Sequence, residues 1–590
     1  MNKDAIIDYI WEHPFSSRSD IRYGTGFSGS DATLKRLIAN AVETGTILAD
    51  GKGRSTKYFP RKYPDGIQTF EKIRKEGYLY IDKTGLMYNL VNQEAPYVFL
   101  SRPRRFGKSL LISTMKSYFE GDRDLFKGLE IEAREKNWTA HPVVRLDLST
   151  AADAADKEQL YLKLGNILGE NEAHFEIAED NTIPGERLYS LVKRAYEKFN
   201  QRVVILIDEY DAPMLGAIYD EEKTETFKLI VKELFSPLKK LEPYLRFVFL
   251  TGITKFSQMS IFSTLNNLDD ISLDDKYSTI CGFTDKEIQT YLGNSIRAFA
   301  KTIGTSYEET YAQIKQKYDG YHFSASCPDI YNPFSVLKSL SKMRMADYWF
   351  SSGTPTLLLE SLKRFNTHIY DIDGAETSAS VFNQPTESIT SVIPLFYQSG
   401  YLTLKTYHQD TDTFVLGIPN AEVRAGLMDN LLPSVINKNP IETQNIAIQF
   451  KRALLDDNID SAMNILKGFF ASIPYPEFGK EALEDFEKKE AYFKRLFYIV
   501  FSFMNVQIYT EVMNSEGRTD ALMYLGNTIY IIEAKLDSTP EEALAQIVQK
   551  GYALRFAGSG KRIISLGLNF SSKTRTIDSW KKTLNSPGVQ

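Results

Sequence analysis

Cysteine is scarce: Cys281 and Cys327 are the two in 590 residues, and histidine is limited to six scattered copies. Two distant thiols cannot build a disulfide framework, and this inventory holds no Cys/His zinc cluster. The usage fits a reducing compartment. Long apolar runs are also missing. The most apolar stretch, LFYIVFSFMNVQI, is too short and too interrupted by polar groups to span a bilayer. The opening residues, MNKDAIIDYIWEH, carry acids within their apolar stretch, unlike a secretory signal. The expected location is the cytoplasm, with no membrane partner. Strong charge of one sign is absent too: the net charge of −6 gives no global attraction to a polyanion, although a local basic patch remains open. No clean repeat and no low-complexity segment interrupts the chain. What remains is an ordinary soluble composition, 43% hydrophobic and 25% charged, in a chain too long for one core. Three or four domains are expected.

Residues 1–62 read as a small separate module. DAIIDYIWEH has helical apolar spacing, SRSDIRYGTGF suits a short second helix, and SDATLKRLIANAVETG starts at a Ser30 or Asp31 cap and stops at Gly45. TILADGKGRSTKYFP then reads as two strands around a basic turn. Three helices followed by a hairpin is the winged-helix order. The module holds ten Lys/Arg against seven Asp/Glu, with Lys52, Arg54 and Lys57 on the hairpin. Contact with DNA and a protein-docking role both fit. Residues 63–270 alternate strands with helices, and YVFLS, VVRLDLS, RVVILIDEYD and LRFVFLTG look like buried parallel strands with polar carboxyl ends. Residues 271–479 read as mostly helical. A second α/β pattern occupies 480–590.

One glycine is missing at an informative place. SRPRRFGKSLL follows the strand YVFL and finishes, at Gly107-Lys108-Ser109, as a phosphate-binding loop does. The full pattern wants a glycine at position 102, where Arg102 stands. Such a loop works because successive amides and a helix N-terminus, here Gly107, Lys108, Ser109 and Leu110, face an anion. The lysine adds a cation and the hydroxyl a ligand for Mg²⁺. Pro103 fixes one φ angle in place of glycine's freedom. Arg102, Arg104 and Arg105 add charge complementary to phosphate, or face a neighbour or nucleic acid. About a hundred residues later VVILIDEYD ends in Asp208-Glu209, an acid to hold Mg²⁺ and one to polarise water. Thr251, ending RFVFLT, is a candidate γ-phosphate sensor, or a strand-end cap. The spacing selects no transition-state arginine.

Near the C-terminus, GRTDALMY and YIIEAKLD supply what a metal-dependent phosphodiesterase needs: clustered carboxylates and a lysine for the attacking water. Asp520 and Glu533 suit adjacent antiparallel strands. Glu533 and Lys535, two apart, share one face of a strand. A cross-strand salt bridge on an exposed face is the plain alternative.

The stretches YLYIDKTGLMYNLV, VFLSRPRRFGKSLLISTMKSYFEG, VVILIDEYDAP, FLTGITKFS, YDGYHFS, YNPFSVL, FYQSGYLTL and IPNAEVR, in this order, resemble the bacterial AAA-ATPase-like family fused to a C-terminal PD-(D/E)XK nuclease-like domain. The resemblance spans roughly residues 63–580 and leaves the N-terminal module outside. An arginine-rich phosphate loop is usual in that family. The resemblance assigns Lys108 and Ser109 to phosphate and Mg²⁺, and Asp208 and Glu209 to metal and water. It matches Asp520, Glu533 and Lys535 to the nuclease motif, and Glu490 to the extra acid of a preceding helix. Gln546 and Tyr552 fall where similar proteins place polar residues near the site, and Asp82 matches a signature whose role the residues do not disclose.

The expected fold class is multidomain α/β: an N-terminal winged-helix-like unit, an AAA-like P-loop NTPase core with a helical extension, and a C-terminal PD-(D/E)XK restriction-endonuclease-like domain. The expected function is an ATPase controlling a Mg²⁺-dependent nuclease that acts on nucleic acid, DNA first. ATP and Mg²⁺ are the expected cofactors, with Mn²⁺ an alternative at the nuclease site. A homo-oligomer is open. The rival functions are an NTP-switched DNA-binding regulator without cleavage, and a signalling ATPase with a protein partner.

Overall fold

The computed structural model describes the chain except residues 1–2, 44–46, 52, 61, 179–181, 219, 256–267, 351–355, 366, 368, 385–390, 437–439, 473–499, 501–506, 509–511, 515–516, 520, 526, 557–559, 575 and 586–590. Two compact units form: Met1–Trp349 with Gly374–Asn420, and Phe350–Asp373 with Ala421–Gln590. Among the described residues no helix is long and apolar enough to cross a membrane.

The first unit begins with helices Lys3–Glu12, Arg18–Thr25 and Asp31–Glu43, then strands Ile47–Asp50 and Lys57–Pro60. The two strands pair antiparallel, and Ser16–Ser17 adds to the edge formed by Lys57–Pro60. Ser17 and Asp20 form a reciprocal capping box on the second helix, and the Ser30 hydroxyl accepts from the Thr33 amide at the third. Ile6, Ile10, Ile21, Leu34, Ile38 and Ile47 close a small core. The basic side chain of Lys57 lies 3.6 Å from Asp20. Lys52 and the side chain of Arg54 are outside the described residues.

The centre of this unit is a parallel five-stranded sheet: β1 (Tyr97–Ser101), β2 (Val143–Asp147), β3 (Val203–Asp208), β4 (Leu245–Gly252) and β5 (Leu268–Asp270), in spatial order 2-3-4-1-5. Strands β1 and β3 are buried along their whole length, as expected of strands covered on both faces. Strand β1 lies between β4 and β5, which follow one another among the sheet's strands in sequence, so the sheet's order reverses around β1. Parallel sheets bind ligands beyond the carboxyl ends of the strands at such a reversal.

After β5 the sequence pattern suggests mostly helix, and helices Gly293–Ile303, Tyr307–Tyr318 and Pro333–Lys342 are there. The structure adds an antiparallel sheet: Thr403–His408 and Thr413–Gly417 form a hairpin, joined by Glu376–Thr377. The two hairpin strands are built largely from β-branched and aromatic residues around the polar turn QDTD. Their cross-strand partners, not a continuous apolar run, hold them.

In the second unit helices Pro440–Leu455 and Ile459–Ala471 accompany a sheet whose main strands are β6 (Ala521–Leu525), β7 (Thr528–Leu536), β8 (Arg562–Ser571) and β9 (Thr576–Asn585). Strands β6–β7 and β8–β9 are antiparallel, whereas β7 and β8 run parallel with Glu533 beside Gly567. The parallel step is made by the crossover helix Pro540–Gln549. That helix sits so close to β8 that a Cβ on Gly567 would lie 2.2 Å from the carbonyl of Pro540. Strand β9 carries no sharp signal in the sequence: TIDSWKKTLN is polar along much of its length, as an edge strand can be.

Candidate active sites

The loop after β1 leads into helix Lys108–Phe119 at the carboxyl edge of the sheet. Gly107 has φ +97, a conformation that excludes other residues through backbone strain, since a Cβ there would meet no neighbour. The missing entry glycine is explained by packing. Arg102, 1% exposed, turns inward and donates from Nη1 to the carbonyls of Ser101 (2.9 Å) and Ser272 (2.8 Å). Its guanidinium carbon stands 4.3 Å from the centre of the Phe323 ring. Phe106 meets Tyr321 and Phe323 edge-on, its carbonyl accepts from the Gly282 amide at 3.0 Å, and Trp349 Nε1 donates to the Arg104 carbonyl at 3.0 Å. The following segment thus shapes the loop from outside, where a glycine-rich loop would be shaped by backbone freedom. Arg102 serves that scaffold. Of the two alternatives that the sequence leaves for the loop arginines, charge for phosphate or a role against a neighbour, Arg102 takes the second.

This arrangement predicts a stability effect. Arg102→Ala strips two buried carbonyls of their donor and leaves a cavity, which is expected to cost about 3 kcal/mol or more. In thermal unfolding of a unit this large that is a fall of roughly 3–5 °C. An unchanged transition would mean that the guanidinium does not hold the loop.

Lys108 is buried, and its Nζ donates to the carbonyls of Arg102 (2.8 Å) and Pro103 (3.1 Å). Burial lowers its pKa, against the pull of Asp208, Glu209 and Asp211. Asp208, at the end of β3, accepts from the Thr251 hydroxyl at 2.8 Å, both groups being buried. Thr251 therefore ties two strand ends together. Glu209 follows in the left-handed region at φ +49, unusual for a non-glycine residue. Burial raises its pKa first, Lys108 opposes this, and Asp208 and Asp211 add to the rise. Asp211, which the sequence reading had not singled out, accepts from the Thr254 amide and hydroxyl, both at 2.7 Å. It thereby fixes the Glu209 turn to the end of β4. Ser109 and Leu110 are half-buried in the first turn of the helix, and Arg104 and Arg105 are exposed. Arg105 lies over the Phe334 ring at 3.9 Å.

Asp82 acquires a structural part. Its carboxylate accepts from the Thr84 amide (2.8 Å) and hydroxyl (2.6 Å) and from the Glu130 amide (2.7 Å), joining the starts of two helices. The turn YDGYHF holds another acid whose environment the sequence does not reveal. Asp319 is 3% exposed, and the Lys315 ammonium stands 3.7 Å from its carboxylate. Burial pushes its pKa up to about 7, with Asp329 and Asp285 adding to the rise and the Gly320 backbone and Lys315 opposing it. The folded protein therefore holds this proton more tightly than the unfolded chain. The associated stability is present at low pH and is lost as pH rises from about 4 toward about 7. Asp319→Asn is expected to raise the melting temperature by a margin that grows across that window and levels off above it. A margin independent of pH would show that the carboxyl is not held neutral.

In the second unit Glu533 and Lys535 lie on β7, and Gln546 lies on the crossover helix. Glu533 is 1% exposed, and its Oε1 accepts from Gln546 Nε2. The Gln546 Oε1 in turn accepts from Lys535 Nζ, and Lys535 Nζ stands 3.7 Å from Glu533. Burial of Glu533 argues against the plain alternative of a salt bridge on an exposed face. Tyr552 is buried in the apolar cluster of Leu522, Ile529, Ile531 and Ile547. Asp520 and Glu490 lie outside the described residues. Among the described residues no group of three or more His, Cys, Asp or Glu side chains could hold a metal ion. The donors that are described, the Ser109 hydroxyl and the Asp208 and Glu533 carboxylates, are hard oxygen ligands of the kind Mg²⁺ takes, usually one or two from protein.

Comparison with known proteins agrees with both halves. The family described as "Predicted AAA-ATPase" matches residues 64–262, and the PD-(D/E)XK nuclease superfamily matches residues 488–580. An "Uncharacterized protein in vnfD 5'region" of Azotobacter chroococcum mcd 1 is 32% identical over 525 residues, covering 88% of this chain and 98% of that protein. A solved structure of the Aeropyrum pernix ORC2 protein (ADPNP-ADP complexes) aligns over 57% of this chain and 87% of that chain, at 11% identity and a TM-score of 0.24, too slight a likeness to carry an argument. With a sheet order, a loop and a Glu–Gln–Lys chain built on a buried glutamate that suit both assignments, the chain belongs to the family that joins an AAA-ATPase-like domain to a C-terminal PD-(D/E)XK nuclease-like domain.

Proposed function

We propose that the protein binds and hydrolyses ATP at the carboxyl edge of β1, β3 and β4, and that this activity governs a phosphodiesterase centred on Glu533 and Lys535 which cuts nucleic acid, DNA first. The observation that carries the reading is the burial of the Lys108 ammonium beside Asp208, Glu209 and Asp211. A buried ammonium bonded among the described residues only to loop carbonyls, at a strand-to-helix loop and next to three acids that exceed it in charge, suits a site completed by a phosphate together with its metal cation. In this reading Lys108 leaves the loop carbonyls for the outer phosphates, the amides of Gly107 to Leu110 cradle them, and Glu209 orients the attacking water. Ser109 and Asp208 hold Mg²⁺, which supplies charge neutralisation when bound. Thr251 keeps Asp208 in place and senses the γ-phosphate.

At the second site Glu533 and Asp520, with Glu490 as a further acid, hold the metal, and Lys535 positions water or meets the charge developing on phosphate. Gln546 fixes both side chains of β7. Residues 1–62 act as a winged-helix-like module that helps to choose the substrate, and the protein works in the cytoplasm.

The test is incubation with single- and double-stranded DNA and RNA, with Mg²⁺ or Mn²⁺, with and without ATP. Cleavage that needs metal supports the reading. No cleavage under any of these conditions, with DNA binding that ATP alters, would favour an NTP-switched regulator. ATP turnover without any nucleic-acid binding would point to a protein partner.

A further inference from the structure

The chain passes between its two units three times, at Trp349–Phe350, Asp373–Gly374 and Asn420–Ala421. Within the first unit each passage is tied down. Trp349 Nε1 donates to the Arg104 carbonyl at 3.0 Å, the Gly374 amide to the Leu416 carbonyl at 2.8 Å, and Asn420 Nδ2 to the Asp319 carbonyl at 3.0 Å. Within the second unit all three meet the first turns of one helix, Ala421–Ile436. The third passage begins that helix. Asp373 pairs with Arg424 at 2.9 Å. The Phe350 ring lies so close to Gly426 that a Cβ there would come within 2.2 Å of it.

Of these three anchors, the one at Trp349 lies on the phosphate loop. It takes the carbonyl that follows the two held by Lys108, so three successive carbonyls, of Arg102, Pro103 and Arg104, are fastened by two side chains. The indole is buried, with its ring 5.0 Å from that of Tyr401. The residue before that tyrosine packs on the loop as well: a Cβ on Gly400 would lie 2.6 Å from Pro103 Cβ. Side chains packed this closely move with their partners and do not absorb a shift.

Resting on the ATPase and nuclease readings above, we infer that Trp349 is a positioning residue that carries the state of the phosphate loop to the second unit. With Lys108 on the loop carbonyls the Arg104 carbonyl is held in one place. With Lys108 on phosphate two of the three carbonyls lose their donor, and the third shifts together with the indole bonded to it. Phe350, the next residue, then shifts against the helix that receives all three passages. A coupling of this kind requires one packed element with two arrangements that the ligand favours unequally.

The experiment uses the full chain and compares wild type, Trp349→Phe, Phe350→Leu and Trp138→Phe. ATP affinity is measured by calorimetry, and indole fluorescence is read with and without ATP. Metal-dependent DNA cleavage is followed without ATP and at ATP saturating for each variant, and folding by thermal unfolding. In wild type ATP is expected to alter the fluorescence and to change the cleavage rate about fivefold or more. Trp349→Phe keeps an aromatic ring and loses the donor. Most of the fluorescence change should vanish with it, and ATP should alter its cleavage by less than about twofold. Phe350→Leu spares the indole and its bond but loosens the seat on Gly426. It should keep the fluorescence change while the effect of ATP on cleavage shrinks in the same way. Trp138, whose ring packs on Tyr118 and Phe126, is the control, and Trp138→Phe should behave as wild type in both readouts. A merely structural Trp349 would lower the melting temperature and both cleavage rates together, leaving their ratio as it was. A wild-type ratio in folded Trp349→Phe or Phe350→Leu overturns the inference and leaves both readings standing. A fluorescence change that is absent from wild type, or that survives Trp349→Phe, overturns it too. If Trp349→Phe does not fold, Phe350→Leu decides. If wild type binds ATP and cuts DNA but ATP leaves the cutting unaltered, the inference falls while each activity stands. If wild type binds no ATP or cuts nothing, the proposed function itself falls.

Discussion

Lys535→Ala is expected to abolish metal-dependent cleavage while leaving metal affinity and ATP hydrolysis close to wild type. A lysine is not a metal ligand, and its ammonium acts on the attacking water or on the charge developing at phosphorus. The structure adds a second expectation. Lys535 Nζ and Glu533 Oε1 are both held by the Gln546 amide, so Gln546→Ala releases two side chains at once. It should weaken cleavage strongly without altering the fold of the sheet. Glu533→Ala removes a buried carboxylate and should abolish cleavage together with much of the metal affinity, as Asp520→Ala should. Losing an essential group of this kind is worth roughly 10²–10⁴-fold in rate. Gel assays of cleavage, calorimetry with Mn²⁺ and phosphate release separate these arms. A Lys535→Ala protein that cuts as well as wild type would remove this site from consideration.

Lys108→Ala and Glu209→Gln are expected to divide nucleotide binding from hydrolysis. The first loses the buried cation of the loop and should bind ATP and ADP at least tenfold more weakly. The second keeps a side chain of the same shape and should bind ATP normally but turn it over roughly 10²-fold or more slowly. Glu209 also predicts a pH profile. Burial first, with the acids Asp208 and Asp211 beside it, raises its pKa above that of an ordinary glutamate. A water-orienting carboxylate must be ionised, so turnover should fall as pH drops through that raised value. The acid limb should therefore lie at higher pH than an exposed glutamate would give, and the residual activity of Glu209→Gln should lack it. Full activity in both variants across the pH range would contradict the assignment.

Much of this was readable from the chain itself. The buried strands announce themselves as apolar runs ending in polar residues, because a strand covered by helices on both faces needs apolar side chains on both. The positions of Lys108, Asp208, Glu209, Glu533 and Lys535 follow from local rules. A phosphate loop sits between a strand and a helix, and residues two apart share a face. The helix–helix–helix–hairpin order of residues 1–62 is likewise local, written in caps and spacing.

Tertiary structure decided what sequence spacing cannot. Arg102, Arg104 and Arg105 are alike in chemistry and close in sequence, yet one is buried scaffold, one lies on a ring and one is exposed. The difference comes from Ser272, Phe323 and Phe334, more than 160 residues away in the chain. The hairpin Thr403–His408/Thr413–Gly417 and the edge strand β9 exist through cross-strand partners, whose contribution depends on neighbours and not on intrinsic preference. Asp319 is a turn residue in sequence, and only the packing around it sets its proton affinity. Local pattern fixes which backbone a segment prefers. Desolvation and pairing are summed over groups brought together from distant parts of the chain, so the charge state and role of each polar side chain are settled only when the fold is complete.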